Sequence, residues 1–97
     1  MKRDKALATL RTERERLQRE YGVKTLALFG SVARDDASAT SDLDLLVEFD
    51  RPTGLLGLFN LQEHLEQLLG CPVDLGTPAS LKPRVRQRVM AEVVYVN

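Results

Sequence analysis

Residues 24–49 read KTLALFGSVARDDASATSDLDLLVEF, two apolar runs separated by a small and polar segment. The first run is too short for a helix and is bounded by glycines, so we predict a buried strand over residues 24–29. The second run predicts a strand over residues 43–49. It is broken by residues 51–54, which include a proline at position 52. The segment between the two runs has the composition of a turn, with room for one helical turn that begins at Ser31.

The sequence on either side of this stretch predicts two amphipathic helices. Residues 3–21 are predicted to form the first, basic on its wet side, and Gly22 is a plausible C-cap for it. Its apolar stripe consists of Leu7, Leu10, Leu17 and Tyr21. Residues 55–69 are predicted to form the second helix, which ends at Gly70. Its stripe consists of Leu55, Leu58, Leu61, Leu65 and Leu68.

The C-terminal part predicts one more strand and one more helix. CPVDL predicts a short strand over about residues 72–75. For the following helix, Ser80 is a possible N-cap and Pro83 is tolerated in the first turn, while the residues at helical spacing are Leu81, Val85 and Val89. A β-branched tail, VVYV, comes last. Strands alternating with helices indicate an α/β (α+β) fold, with a small mixed β-sheet of three to four strands packed with helices.

Length and composition indicate one small globular domain, residues 1–97. The chain is 43% hydrophobic and 29% charged, and a chain of this size buries about 60–65% of its unfolded surface. That suffices for one core but not for a deep cleft between lobes, so a large substrate must bring its own surface. Fourteen basic and fourteen acidic residues cancel, so no global field draws the protein to nucleic acid or to an anionic membrane. No direct nucleic-acid binding is expected.

A soluble, cytoplasmic protein is expected from the remaining composition. The single cysteine, Cys71, excludes an internal disulfide and fits a reducing compartment. The N-terminal sequence MKRDKALATLRTERER lacks the apolar segment of a signal peptide, and no run approaches the ~18 apolar residues of a membrane span.

Two aspartates open the second predicted strand. Residues i and i+2 of a strand point to the same face about 6.8 Å apart, so the carboxylates of Asp42 and Asp44 converge. Two such charges ~6 Å apart repel each other by roughly 2–3 kcal/mol at an effective dielectric constant near 20. A hard divalent cation with oxygen ligands, most simply Mg²⁺, would offset this repulsion.

A third carboxylate and a turn complete the predicted site. Asp74 lies within the apolar third strand, and if that strand pairs beside the second, three carboxylates could hold one or two metal ions. Gly30 permits close backbone approach, and Ser31 with the amides of the turn can hold a phosphate. Carboxylates and metal facing a phosphate-binding turn predict nucleotidyl transfer, a displacement at the α-phosphate in which pyrophosphate leaves.

The same residues carry a family resemblance. Gly30-Ser31, ten intervening residues and Asp42-Leu43-Asp44 resemble the signature of the DNA polymerase beta-like nucleotidyltransferases. With its VDL third strand and its LKPRVRQRVMAEVVYV ending, the chain resembles the minimal nucleotidyltransferases (MNT), the antitoxin halves of HEPN/MNT toxin–antitoxin pairs. The resemblance covers essentially all 97 residues. One difference is that members often carry glycine where this chain has Asp35.

The resemblance implies a role for each site residue. Asp42 and Asp44 would bind metal and the phosphates of ATP. Asp74 would help to bind the catalytic metal and activate the attacking hydroxyl, while Gly30 and Ser31 would hold the triphosphate. The cofactor would be one or two Mg²⁺ ions and the substrate ATP. The partner would be a cognate HEPN ribonuclease toxin in a hetero-oligomer, one of whose tyrosine hydroxyls receives AMP, which removes its toxicity.

Several alternatives stay open at this level. Arg34 either points at the triphosphate or forms a salt bridge with a neighbour such as Asp35 or Asp36. Three functions are possible for the chain. It adenylylates the toxin, it masks the toxin by binding without turnover, or it transfers nucleotides to a small molecule. Either helix 55–69 or the C-terminal helix and tail would supply the partner interface.

Overall fold

The computed structural model of the protein describes residues 1–36 and 42–96. The helices are α1 (Arg3–Thr12), α2 (Arg14–Tyr21), α3 (Gly30–Ala33), α4 (Gly54–Leu69) and α5 (Pro83–Met90). The strands are β1 (Val23–Phe29), β2 (Leu43–Phe49), β3 (Val73–Gly76) and β4 (Val94–Tyr95), and a 3₁₀ turn, Pro78–Ser80, follows β3. Part of the predicted turn between the first two strands, residues 37–41, lies outside the described residues.

The four strands form one sheet in the order β3-β2-β1-β4. β1 is antiparallel to both β2 and β4, whereas β2 and β3 are parallel, because α4 carries the chain back between them. This mixed sheet with its helices confirms the predicted fold class. The β-branched tail supplies the fourth strand, which adds a second neighbour to β1.

The two faces of the sheet differ because successive residues of a strand point to opposite sides. The inner face belongs to the buried core beneath the helices and consists of Leu26, Leu28, Leu43, Leu45, Val47, Val73 and Leu75. The outer face consists of Thr25, Ala27, Asp44, Leu46, Glu48, Asp74 and Tyr95. The fold therefore places the carboxylates of β2 and β3 together, on the side of the sheet away from the core.

Residues 3–21 form two helices, so the single predicted helix is wrong. The break lies at Glu13, whose N–H donates to the carbonyl of Leu10, three residues back, at 3.2 Å. Such a tightened last turn ends α1, and α2 begins at Arg14, the residue that interrupts the apolar stripe. The stripe itself is confirmed at Leu10 and Leu17, which are buried in the core.

α4 confirms the predicted helix but only part of its predicted stripe. The buried side chains are Leu61, Leu65 and Leu69, at a spacing of four. Leu55 lies off this face and is 71% exposed, and Leu68 is only half-buried. In the parts of the chain that the structure describes, no helix combines the length and the apolar character needed to cross a membrane.

α5 begins two residues later than a Ser80 cap requires, so that prediction is wrong. Its N-cap is Lys82 and its first residue is Pro83, which needs no hydrogen-bond partner for its nitrogen there. Ser80 instead closes the 3₁₀ turn, since its hydroxyl donates to the carbonyl of Thr77 at 2.7 Å. Of the predicted stripe, Val89 is buried, whereas Leu81 lies before the helix and Val85 is 39% exposed.

Candidate active site

Asp44 lies at the centre of the candidate site. It is half-buried on β2, where Phe29 of β1 is its neighbour on one side and Asp74 of β3 is its neighbour on the other. Adjacent strands lie about 4.8 Å apart, and directly paired residues project to the same face. The parallel pairing of β2 and β3 therefore brings Asp44 and Asp74 together, as the sequence predicted on condition that these strands were neighbours.

The three predicted carboxylates form one electrostatic cluster. Burial is the main cause that raises the pKa of Asp44, and the negative charges of Asp74 and Asp42 raise it further. Arg34 acts in the opposite direction. Asp42 directly precedes β2 and is exposed, as is Asp74. Asp44 is thus surrounded by negative charge that Arg34 offsets only in part.

The donor set fits a hard divalent cation, although the carboxylates are not gathered as ligands. Among residues 1–36 and 42–96, no three His, Cys, Asp or Glu side chains are grouped closely enough to hold one ion. Mutual repulsion disfavours such a grouping without a cation, and the exposed side chains of Asp42 and Asp74 have space to turn. All three residues offer oxygen, which Mg²⁺ prefers. Their role as metal ligands remains a prediction.

Gly30 joins β1 to α3 and lies directly against the carboxylate of Asp44. Its φ is +75°, and a Cβ added there would overlap Oδ2 of Asp44. Both the left-handed backbone and the lack of space require glycine. The backbone that leads into the predicted phosphate-binding turn, with Ser31 as its next residue, therefore contacts the central carboxylate.

The single helical turn predicted at Ser31 is present as α3, and its end explains why glycine is favoured at position 35, where this chain has aspartate. The N–H of Asp35 donates to the carbonyl of Val32, and the N–H of Asp36 donates to that of Ser31, both at 3.0 Å. These two bonds define a Schellman motif, whose residue after the C-cap adopts the left-handed conformation. Asp35 has a φ of 61°. Glycine is favoured there by the backbone.

Arg34 follows α3 and forms salt bridges, as one of the two alternatives predicted. Its Nε donates to Asp36 at 3.3 Å, and its Nη1 donates to Oε1 of Glu92 at 3.3 Å. The hydrogen bond to Asp36 is the main cause that raises the pKa of Arg34. The sequence does not indicate that Glu92 pairs with Arg34, because the two residues lie 58 positions apart and no motif joins them. A contact of Arg34 with a triphosphate is untested.

The sheet, the aspartates and the turn together have the arrangement of a nucleotidyl-transfer protein. The sequence profile of the nucleotidyltransferase domain family matches residues 10–96. The chain therefore belongs to the nucleotidyltransferase domain family.

Curated relatives match the chain over most of their own length. It is 41% identical over 87 residues to the protein adenylyltransferase MntA of Thermococcus cleftensis, with 90% of this chain and 88% of that protein covered. It is 39% identical over 88 residues to MJ1217 of Methanocaldococcus jannaschii, provisionally named a protein adenylyltransferase, with 90% of each chain covered.

Solved structures agree with the fold. A protein provisionally described as a minimal nucleotidyltransferase superposes with a TM-score of 0.77 at 41% identity, covering 97% of this chain and 95% of that one. A toxin–antitoxin crystal structure with AMP-PNP gives 0.73 at 21% identity, covering 90% and 72%. A Shewanella oneidensis complex of a tri-AMPylated HEPN toxin with an MNT antitoxin gives 0.67 at 19% identity, covering 94% and 71%. The predicted resemblance to minimal nucleotidyltransferases is confirmed, and the two structures of lower identity support the fold alone.

Proposed function

We propose that this chain is an antitoxin of a single domain that adenylylates a protein. In a Mg²⁺-dependent reaction it transfers AMP from ATP to a tyrosine hydroxyl of a cognate HEPN ribonuclease toxin and thereby neutralises it. The observation that carries the proposal is the pairing of Asp44 with Asp74, with Asp42 at the head of the same strand and Gly30 against the central carboxylate. The 41% identity to a named protein adenylyltransferase supports the substrate class.

Each residue of the site has a role that follows from its position. Asp42, Asp44 and Asp74 supply oxygen donors for Mg²⁺, which when bound neutralises charge on the α-phosphate and on the leaving pyrophosphate. Gly30 and Ser31 hold the β- and γ-phosphates at the end of β1, and Arg34 lies beside them. The bond from the α-phosphorus to its oxygen bridging to the β-phosphate breaks as the tyrosine oxygen bonds to that phosphorus.

In the proposed reaction, Asp74 accepts the proton of the attacking hydroxyl. It is exposed on β3, which forms one edge of the sheet. An in-line displacement requires the attacking oxygen to approach opposite the leaving pyrophosphate. With the pyrophosphate held towards β1, the acceptor approaches from the β3 side, where Asp74 faces solvent and a protein surface can reach it.

Exposed apolar side chains on α4 support a protein partner. Leu55 and Leu56 are 71% and 73% exposed, and Phe59 is 59% exposed. Large apolar groups clustered on a surface are typical of protein–protein contacts. The C-terminal helix and tail carry Val85, Met90 and Tyr95, which are only 38–47% exposed, so the first half of α4 is favoured among the two predicted interfaces.

The test combines the purified chain, its cognate toxin, Mg²⁺ and ATP labelled at the α-phosphate. We expect label on the toxin with wild type, and a loss of about 10³-fold with Asp42→Asn combined with Asp44→Asn, because metal binding supplies several kcal/mol of transition-state stabilisation. Asp4→Asn is the control, since Asp4 is 90% exposed on α1. If the double variant still neutralises the toxin fully, the chain acts by masking and the proposal is wrong.

A further inference from the structure

We infer that Gln62 and Glu66 of α4 are positioning residues for Asp74, because they hold the backbone of the residue before it. Nε2 of Gln62 donates to the carbonyl of Val73 at 2.9 Å, and the N–H of Val73 donates to Oε2 of Glu66, also at 2.9 Å. The inference rests on the proposed function, because that function gives the placement of Asp74 its importance in the reaction.

β3 by itself gives Asp74 little support. It is a strand of four residues at the edge of the sheet, with β2 on one side. Alternate residues of such a strand direct their N–H and C=O groups away from the sheet. The N–H of Leu43 in β2 donates to the carbonyl of Pro72 at 3.0 Å, so the backbone groups of the next residue, Val73, point outward. These are the two groups that α4 binds.

The hydrogen bond from Gln62 acts on Asp74 through a rigid peptide unit. The carbonyl of Val73 lies in one plane with the N–H and the Cα of Asp74. Holding this carbonyl sets the orientation of the plane and hence the position of the Asp74 Cα. Glu66 holds the preceding peptide plane, and the side chain of Val73 is buried in the core. The carboxylate of Asp74 therefore turns about its own side-chain bonds from a fixed Cα.

The two positions on α4 have different chemical requirements. Gln62 and Glu66 lie one helical turn apart on the same side of α4 and are half-buried, so water competes less for their hydrogen bonds. The carbonyl of Val73 needs a donor and its N–H needs an acceptor. An ionised carboxylate only accepts, whereas an amide does both. Position 62 therefore requires an amide, and position 66 tolerates either group.

The experiment makes the same exchange of amide and carboxylate at both positions and measures labelled AMP transfer to the toxin. Gln62→Glu places an acceptor against the carbonyl of Val73, and we expect kcat to fall about tenfold, because small displacements of a catalytic group are costly. The KM values for ATP and for the toxin should change less than about twofold. Glu66→Gln keeps the acceptor and should retain the wild-type kcat, whereas Glu66→Leu should lose about tenfold.

Gln67→Glu is the matched control for the added charge. Gln67 lies on the same helix but is exposed, beside Tyr21 and His64, so kcat should stay at the wild-type value. All variants are assayed at a temperature at which circular dichroism shows them fully folded. A wild-type kcat for Gln62→Glu, or equal losses for Gln67→Glu and Gln62→Glu, would overturn the inference.

A second measurement separates positioning from general support of the fold. A positioning residue acts through the group that it places, so Gln62→Glu should lower the residual kcat of Asp74→Asn by less than about twofold. The same tenfold loss in both backgrounds would mean that the hydrogen bonds act elsewhere, which overturns the inference.

Wild type alone provides a test that no misfolded variant affects. The N–H of Val73 should exchange with solvent at least about 100-fold more slowly than an unstructured amide, because Glu66 accepts its hydrogen bond. Exchange at the unstructured rate, together with AMP transfer to the toxin, overturns the inference and leaves the proposed function standing. Protection of Val73 without any transfer by wild type overturns the proposed function and, with it, the role of α4 in the reaction.

Discussion

Asp44 on β2 lies directly opposite Asp74 on β3, in the register that the parallel pairing of the two strands imposes. Like charges opposite each other on a sheet are destabilising, and here burial of Asp44 adds to the effect. With a single surface aspartate, the stability of the fold would not depend on cations. This pair, with Asp42 two residues before Asp44, makes the ligand-free protein store unfavourable electrostatic energy at one place. A bound cation would release it.

Asp44→Asn is expected to raise the melting temperature of the ligand-free protein at neutral pH, because it removes a charge that burial and two carboxylates disfavour. The folded-state pKa of Asp44 lies above its unfolded value. The native state is therefore not penalised below the unfolded pKa, and it loses stability as pH rises through the folded pKa. Melting curves in EDTA from about pH 3 to about pH 8 measure the gap between variant and wild type. The gap should widen with pH, and a constant gap contradicts the prediction.

Mg²⁺ is expected to reverse the order of the two proteins. Millimolar Mg²⁺ should raise the melting temperature of wild type, because an ion that binds only the native state stabilises it by mass action. Asp44→Asn should respond much less, since it lacks the central ligand. The control Asp4→Asn should behave as wild type. Equal responses of wild type and Asp44→Asn would remove Asp44 from the metal site.

Gly30→Ala should cost more stability than glycine replacement at an open position with the same backbone conformation. Gly70 at the end of α4 has a φ of +69° and no atom within 4 Å of an added Cβ, so Gly70→Ala isolates the cost of the left-handed backbone, about 1 kcal/mol. Gly30→Ala adds the overlap with Asp44, for a total of about 2–4 kcal/mol. Urea unfolding of both variants measures the difference, and equal losses would show that the contact with Asp44 is unimportant.

The elements predicted correctly from sequence are those whose signal is local. The strands predicted over 24–29 and 43–49 follow from short apolar runs, and the structure has them at Val23–Phe29 and Leu43–Phe49. The position of Asp74 depended on which strands are neighbours, which no local pattern states, and the parallel pairing of β2 and β3 decided it.

What the sequence missed depends on bends and on distant pairs. The stripe through Leu10 and Leu17 keeps its spacing across the break at Glu13, so periodicity predicts one helix where a tightened turn makes two. The ion pair of Arg34 with Glu92 joins residues 58 positions apart on elements without a shared motif. Only tertiary packing brings such charges together.

Asp35→Gly is expected to stabilise the protein by about 0.5–1 kcal/mol. Asp35 occupies the left-handed position of the Schellman motif at the end of α3, where a side chain costs more than the added freedom of glycine in the unfolded chain. Asp36→Gly is the matched control. It also removes an acidic residue from this turn, but its position after the left-handed residue does not require glycine, so no gain is expected. Denaturant unfolding of the two variants measures the change, and a gain in both would point to charge instead of backbone.

Arg34 is expected to contribute to nucleotide binding more than to stability. Its side chain is 50% exposed and that of Glu92 is 31% exposed, and ion pairs this open contribute little to folding. Arg34→Ala should therefore leave the free energy of unfolding nearly unchanged, while the affinity for ATP with Mg²⁺ falls about tenfold through loss of charge-assisted hydrogen bonds to phosphate.

Glu92→Gln is expected to have the opposite sign. It removes one of the two carboxylates that share the guanidinium of Arg34, so the affinity for ATP with Mg²⁺ should rise about twofold to threefold. Arg51→Ala is the control, because Arg51 likewise pairs with an adjacent aspartate, Asp50, but lies at the far end of β2. Calorimetric titration of the three variants decides between the two alternatives for Arg34. If Arg34→Ala binds ATP as wild type does, Arg34 is a structural link between α3 and the segment after α5, and Glu92→Gln will also leave affinity unchanged.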